Sequence, residues 1–600
     1  MRRPLLWLIA GTAIAAVAIP VVAQQQAPES LLPDDFGAPV SQPTQPVPQP
    51  GSPQPGVPAP SIPQPIDLAA PEEAANSAEE EKSAAELAAE KAEYDFPDSA
   101  RRLLTRVGPL TPATRGLAPD AFGGEDGRFL TTLMRETKAP FASRWGSILL
   151  RRALLSATDT PRGVEGADWT AERAWLLLRM GEADAARMLI QSVDVNNYTP
   201  RLYAVAMQSY LATADPAGLC PLAEGALRVS KEPGWEMSRA FCAAFAGDQG
   251  MASGILSQAR RDKVARGIDY RLAEKVVGAG NNARRSVKIE WEGVDSLTAW
   301  RFGLATAVNV AIPDDLYTRA GPHVRAWQAR SAMLALPARR TAVETAARLG
   351  VYSSAALVDF YSELAADDGV PADFKNRANA LRDAYVGGTV GDRLDGMHAL
   401  WARPDGEDGA DYLGLIATAR AAAAFPVSRQ GGSDLGRLIA AMLTAGYDRS
   451  AMRWAGIVSG VGAENAGDAW ALLAVGSPAR VVDVAPAQVT AFAQAAGERR
   501  GRMFIAGLAA LGRLSQADAA QAAADAGLSF TPRTRWAQAI AAAAGKGEQA
   551  TVALLAGVGM QVSDWGRMPP EHLYHIVSAL RRVGLEPEAR MIAAEALTRA

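Results

Sequence analysis

Histidine and cysteine are scarce in this chain. Four histidines and two cysteines among 600 residues leave little from which to build a metal centre. His323 and His398 stand apart. His572 and His575, in "EHLYH", fall three apart on an expected helix, but no third ligand or H-E-x-x-H pattern accompanies them. No metal ligand and no cofactor-binding residue is assigned. Cys220 and Cys242 do not form a C-x-x-C pair, which argues against dithiol redox chemistry. No G-x-S-x-G or S-x-x-K nucleophile motif stands out, and "SGVGAENAG" from Ser459 lacks the lysine and glycine spacing of a phosphate loop. No catalytic residue is assigned either. With a net charge of -4 the chain has no excess of basic residues to draw nucleic acid. After the N-terminus no second apolar run is long enough to cross a membrane, and β-branched runs are few.

What is present is ordered along the chain. "MRRP" followed by "LLWLIAGTAIAAVAIPVVA" has the basic and apolar regions of a secretory signal, with small residues for cleavage after Ala23. The apolar run also has the length of an uncleaved anchor, so residues 1–23 are a signal peptide or a single anchor. Both place the remainder outside the cytoplasm, in the periplasm or attached to the inner membrane facing it. Residues 24–71 carry proline every two or three positions and almost nothing to bury, which predicts a disordered Pro/Gln-rich spacer. Residues 72–96, "EEAANSAEEEKSAAELAAEKAEYDF", are helix formers with only a thin apolar stripe, and predict an acidic Ala/Glu-rich helix.

From residue 97 to 600 alanine dominates and apolar residues recur every three to four positions, so the fold class is all-α. A phrase recurs there: glycine followed five residues later by alanine. It occurs at Gly181/Ala186, Gly247/Ala252, Gly350/Ala355, Gly446/Ala451, Gly512/Ala517, Gly545/Ala550 and Gly584/Ala589. Several of the intervals are near multiples of about 33 residues, a spacing that marks stacked supersecondary units. Glycine ends one helix in the left-handed conformation, the polar residues turn the chain, and the small alanine lets antiparallel helices approach. Asp184 and Ser515 are the expected caps. Arg187 and Arg590 are expected to point outward while Met188 and Met591 pack.

This pattern resembles the turn between the two helices of a tetratricopeptide repeat, with Ala174 and Leu177 at the family's small and large positions on the first helix. The family's tryptophan, tyrosine and terminal proline are mostly missing, and a HEAT-like array of helix pairs fits nearly as well. The resemblance covers roughly Gly166 to Ala600 as degenerate repeats and implies an α-solenoid of stacked antiparallel helix pairs, assigned to 97–600, with breaks near 281–295 and 387–411.

Cys220 and Cys242 flank "KEPGW", an expected interhelical turn, at nearly equal distances. Two helical arms rising by about 1.5 Å per residue bring them level, which predicts a disulfide in an oxidising compartment. Trp175, Trp235, Trp300, Trp454 and Trp536 are expected in the core, and "ERRGR" from Glu498 on a solvated face. Together these features predict a non-enzymatic scaffold or adaptor of the cell envelope that binds a protein or peptide partner on its helical surface. A spacer subunit of a larger envelope complex and a cell-wall-acting enzyme or its remnant are the alternatives.

Overall fold

The computed structural model describes residues 100–600 except 281–286, 404–409, 429–431, 433 and 462–466. The expected signal segment, spacer and acidic helix lie outside the described residues, as does most of the Ser459 glycine-rich stretch. Twenty-eight α-helices account for most of the described residues and pack in consecutive pairs. The only strands among them are Arg106–Val107 and Thr158–Asp159, a two-residue antiparallel pair. Arg173, buried in the helix Gly166–Arg179, holds this pair by donating to the Val107 carbonyl at 2.9 Å and to Thr158 Oγ1 at 3.2 Å. Burial lowers its guanidinium pKa to about 9.

The helix pairs do not contact only their sequence neighbours. Their two ends meet at Arg144–Leu155, here termed the hub helix. It packs against Gln549–Gly559, against the last helix Glu586–Arg599, and against Leu336–Leu349 from the middle of the chain. Its sequence explains the position. Leu149, Leu150, Ala153 and Leu154 are buried, so the helix has no broad solvated face. Ser143 caps it by accepting from the Gly146 amide at 2.9 Å. The buried Glu595 of the last helix then accepts from Ser143 Oγ at 2.7 Å and from the Arg144 and Trp145 amides at 2.9 and 3.1 Å. A carboxylate set at a helix N-terminus is stabilised by the exposed amides and the helix dipole. Here it also joins the beginning of the folded region to its end.

Arg144 extends that junction. Its buried guanidinium donates to the Ala347 carbonyl at 3.0 Å and the Thr444 carbonyl at 2.7 Å, satisfying acceptors at the C-terminal ends of two other helices. Two of the repeated glycine turns rest on the same helix. Gly350 has φ +89°, and a Cβ there would lie 2.9 Å from the Arg144 carbonyl oxygen. Glycine is therefore required for both the backbone conformation and the close approach. The Gly446 turn sits against Trp145. Further along the hub helix Arg151 reaches Glu182 at 2.6 Å, and Arg152 reaches Glu588 at 2.6 Å.

Local expectations need several corrections. The stretch 387–411 is not a continuous break: Val390–Trp401 is a helix started by a reciprocal Thr389/Asp392 capping box. The non-helical connection after Gly280 does span the described part of 281–295. Gly545 lies inside the helix Arg535–Lys546, and Gly547, with φ +80°, ends it. The glycine that takes the left-handed conformation is thus the one two residues after Gly545, although the residue five beyond it is a valine, Val552.

Candidate functional site

A cavity of ≈ 810 Å³ opens where helix ends from the middle of the chain converge on its last helix. The first turns of Tyr412–Ala423, Leu435–Thr444, Asp468–Gly476 and Glu498–Ala510 contribute Tyr412, Arg437, Asp468 and Arg500. Arg348 comes from the last turn of Leu336–Leu349, Arg599 from the last turn of Glu586–Arg599, and Arg403 from the connection that follows Trp401. Five guanidinium groups thus face two lining side-chain carboxylates, Asp411 and Asp468. Ala410, Leu415, Ala440 and Leu472 add apolar wall.

The arginines are positioned by ion pairs that leave donors over. Asp411, only 7% exposed, receives Arg348 at 3.0 Å and Arg377 at 3.1 Å on its two oxygens. Asp468 receives Arg500 at 2.8 Å, and Arg500 also donates to the Leu597 carbonyl at 2.8 Å. Arg599 donates to Glu595 at 2.6 Å and to the Ala142 carbonyl at 2.8 Å, with its guanidinium 4.5 Å from the centre of the Tyr412 ring. Arg437 lies 3.7 Å from Asp434, whose carboxylate also meets His398 at 3.0 Å. A guanidinium has five N–H donors. Arg348 and Arg437 keep 42% and 47% of their side-chain surface exposed, so donor edges remain open to the cavity. Tyr412 is buried beneath them, and that burial pushes its phenol pKa up. At ordinary pH it serves as a neutral packing surface. Arginine forks and helix N-terminal turns together form an anion-attracting surface.

The residues singled out in the sequence occupy other places. Cys220 and Cys242 form the disulfide, joining Cys220–Val229 to Pro233–Phe245 with their Cα atoms 5.5 Å apart. Gly181, Gly247, Gly350, Gly446, Gly512 and Gly584 all have positive φ. Ala186, Ala252, Ala451, Ala550 and Ala589 are fully buried, whereas Ala355 and Ala517 are exposed, because their helices pack through other faces. Ser515 caps its helix. Asp184 does not; it pairs with Arg330 at 2.6 Å. The outward/inward assignment is reversed at two positions. Arg590 is buried and bound to Asp448 and the Gly476 carbonyl, while Met188 is 49% exposed.

Trp175, Trp235 and Trp454 are core residues, and Trp300 and Trp536 are half-buried. His572 stacks on Trp536, with centroids 4.4 Å apart. Among the described residues no group of three or more His, Cys, Asp or Glu side chains could hold a metal ion, and no helix is long and apolar enough to cross a membrane. The "ERRGR" cluster is not a solvated patch. Arg499 binds the Trp565 and Met568 carbonyls, Arg502 faces Glu498 and Glu571, and Arg500 lines the cavity. Of the cavity's arginines only Arg500 carried a sequence signal. The others come from helices far apart in the chain and are adjacent only after folding. Comparison with known protein families, with curated proteins and with solved structures finds no match to this chain.

Proposed function

We propose that this protein is a non-enzymatic scaffold of the cell envelope, built as an α-solenoid of degenerate tetratricopeptide-like helix pairs. It binds an acidic segment of a protein or peptide partner in the arginine-lined cavity. The observation that carries the reading is the convergence of Arg348, Arg403, Arg437, Arg500 and Arg599 on one cavity. Guanidinium forks match carboxylates in pairs, and the apolar wall suits the methylenes of a peptide. An exported location is supported by the N-terminal signal pattern and by the disulfide, which suits an oxidising compartment. A helical scaffold is a surface for binding, and that step is an analogy at the level of fold.

The test is fluorescence anisotropy with a labelled twelve-residue glutamate/alanine peptide and its glutamine counterpart. The acidic peptide binds the full chain, more weakly as salt rises, and the glutamine peptide does not. Arg348→Gln combined with Arg437→Glu lowers affinity by about tenfold or more, equivalent to about 1.4 kcal/mol. Equal binding of the two peptides, or an unchanged affinity in the double variant, overturns the reading.

A further inference from the structure

The charge of this chain is divided unevenly. Residues 72–96 contain nine acids, Glu72, Glu73, Glu79, Glu80, Glu81, Glu86, Glu90, Glu93 and Asp95, against Lys82 and Lys91, a net of -7. Residues 1–71 carry -2, and the whole chain carries -4, so residues 97–600 carry +5. The near-neutral total thus conceals an acidic arm joined to a basic body, and five guanidinium groups of that body line the cavity described above.

We infer that the acidic segment 72–96 of this chain is itself a ligand of the arginine-lined cavity. This rests on the reading of the cavity as a site for acidic peptide and names its resident occupant. An external acidic partner then binds by displacing the arm.

The reach is sufficient. The described chain begins at Ala100, six residues before the strand Arg106–Val107, whose pairing with Thr158–Asp159 adjoins the C-terminal end of the hub helix. The other end of that helix meets Glu595, one helical turn from Arg599 of the cavity. Twelve helical residues span about 18 Å, whereas the 25 residues of the arm span about 37 Å as a helix and more when extended. Composition also fits the site. Alanines at 84, 85, 88, 89 and 92 and Leu87 match the apolar wall of Leu415, Ala440 and Leu472, while the glutamates meet Arg437, Arg348 and Arg500. A tethered occupant acts at high effective concentration. It lowers the apparent affinity for a free competitor in proportion to the fraction of molecules left open.

Hydrogen exchange of the full chain, followed by mass spectrometry, tests the inference without any added ligand. Amides of residues 79–93 exchange at least about tenfold slower than those of a synthetic peptide of the same sequence. The protection disappears in the Arg348→Gln/Arg437→Glu variant, whose folded-region exchange and circular dichroism are otherwise those of the parent. Exchange equal to the peptide's, or protection unaffected by the cavity variant, overturns the inference. A second variant leaves the folded region untouched by replacing the nine acids with glutamine. It binds the labelled glutamate/alanine peptide at least about tenfold more tightly than the parent. If both chains bind that peptide with one affinity, the arm does not occupy the cavity, although the cavity remains a site for acidic peptide. If neither binds, both readings fall. Protection that grows with protein concentration places the arm in the cavity of a second copy and overturns docking within one chain.

Discussion

The hub helix and the disulfide hairpin at 220–245 are built from the same helical material and held by different means. At the hub, Arg144, Glu595, Arg151 and Arg152 tie together segments separated by up to several hundred residues, and the polar groups involved are largely buried. At the hairpin, packing partners are mostly adjacent in sequence, and Val229, Phe245 and Met251 on or beside it are 49%, 41% and 55% exposed. A covalent bond between Cys220 and Cys242 stands where the hub has long-range packing. An array whose units touch only their neighbours resembles the hairpin throughout, with ends that fray independently. Joining the ends at the hub removes them from that regime, and places the basic cavity beside the junction.

Substitutions should separate the two regions by size and reach. Arg144→Met removes the donors that satisfy the Ala347 and Thr444 carbonyls and leaves Glu595 with less countercharge. Breaking such a buried set costs about 3–5 kcal/mol, read as a lower denaturation midpoint for the whole folded region. Cys220→Ser with Cys242→Ser comes next. Loss of a native disulfide costs about 2–4 kcal/mol. Here the faster exchange should be confined to residues 220–261, leaving the hub helix as protected as in the parent.

A smaller effect is expected from His323, which packs beneath the Gly181 turn between the regions. Burial, with a further contribution from Arg179, lowers its pKa from 6.5 to about 4. The folded state therefore disfavours protonation, and the unfolded chain takes up a proton first. The neutral imidazole contributes stability that is fully present above pH 6.5 and is lost as pH falls towards about 4. The loss is at most about 3 kcal/mol. His323→Gln should flatten the stability profile across that window, and urea midpoints measured at pH 7 and pH 4.5 check it.

The contrast between local and distant packing also sets what could be read in advance. The turns at Gly181, Gly350 and Gly446 were legible because a left-handed glycine is a local requirement. So was the pairing of Cys220 with Cys242, which needs only two helical arms of similar length. Arg590 and Met188 were misassigned because helical phase does not say which face meets a partner from another part of the chain. The cavity was out of reach for the same reason. Arg348, Arg437 and Arg599 occur singly in ordinary helical sequence, and only closure of the array brings them to one place. Gly545 shows the limit of pattern in low-complexity helix, where a glycine two residues later takes the turn.

Native-state hydrogen exchange across the folded region tests closure most directly. In the parent protein the amides of Arg144–Leu155 and Glu586–Arg599 should share the highest opening free energy, and Arg144→Met should lower both together with Leu336–Leu349. If the last helix instead opens on its own at low free energy, and the substitution affects only residues next to 144, the ends are not joined.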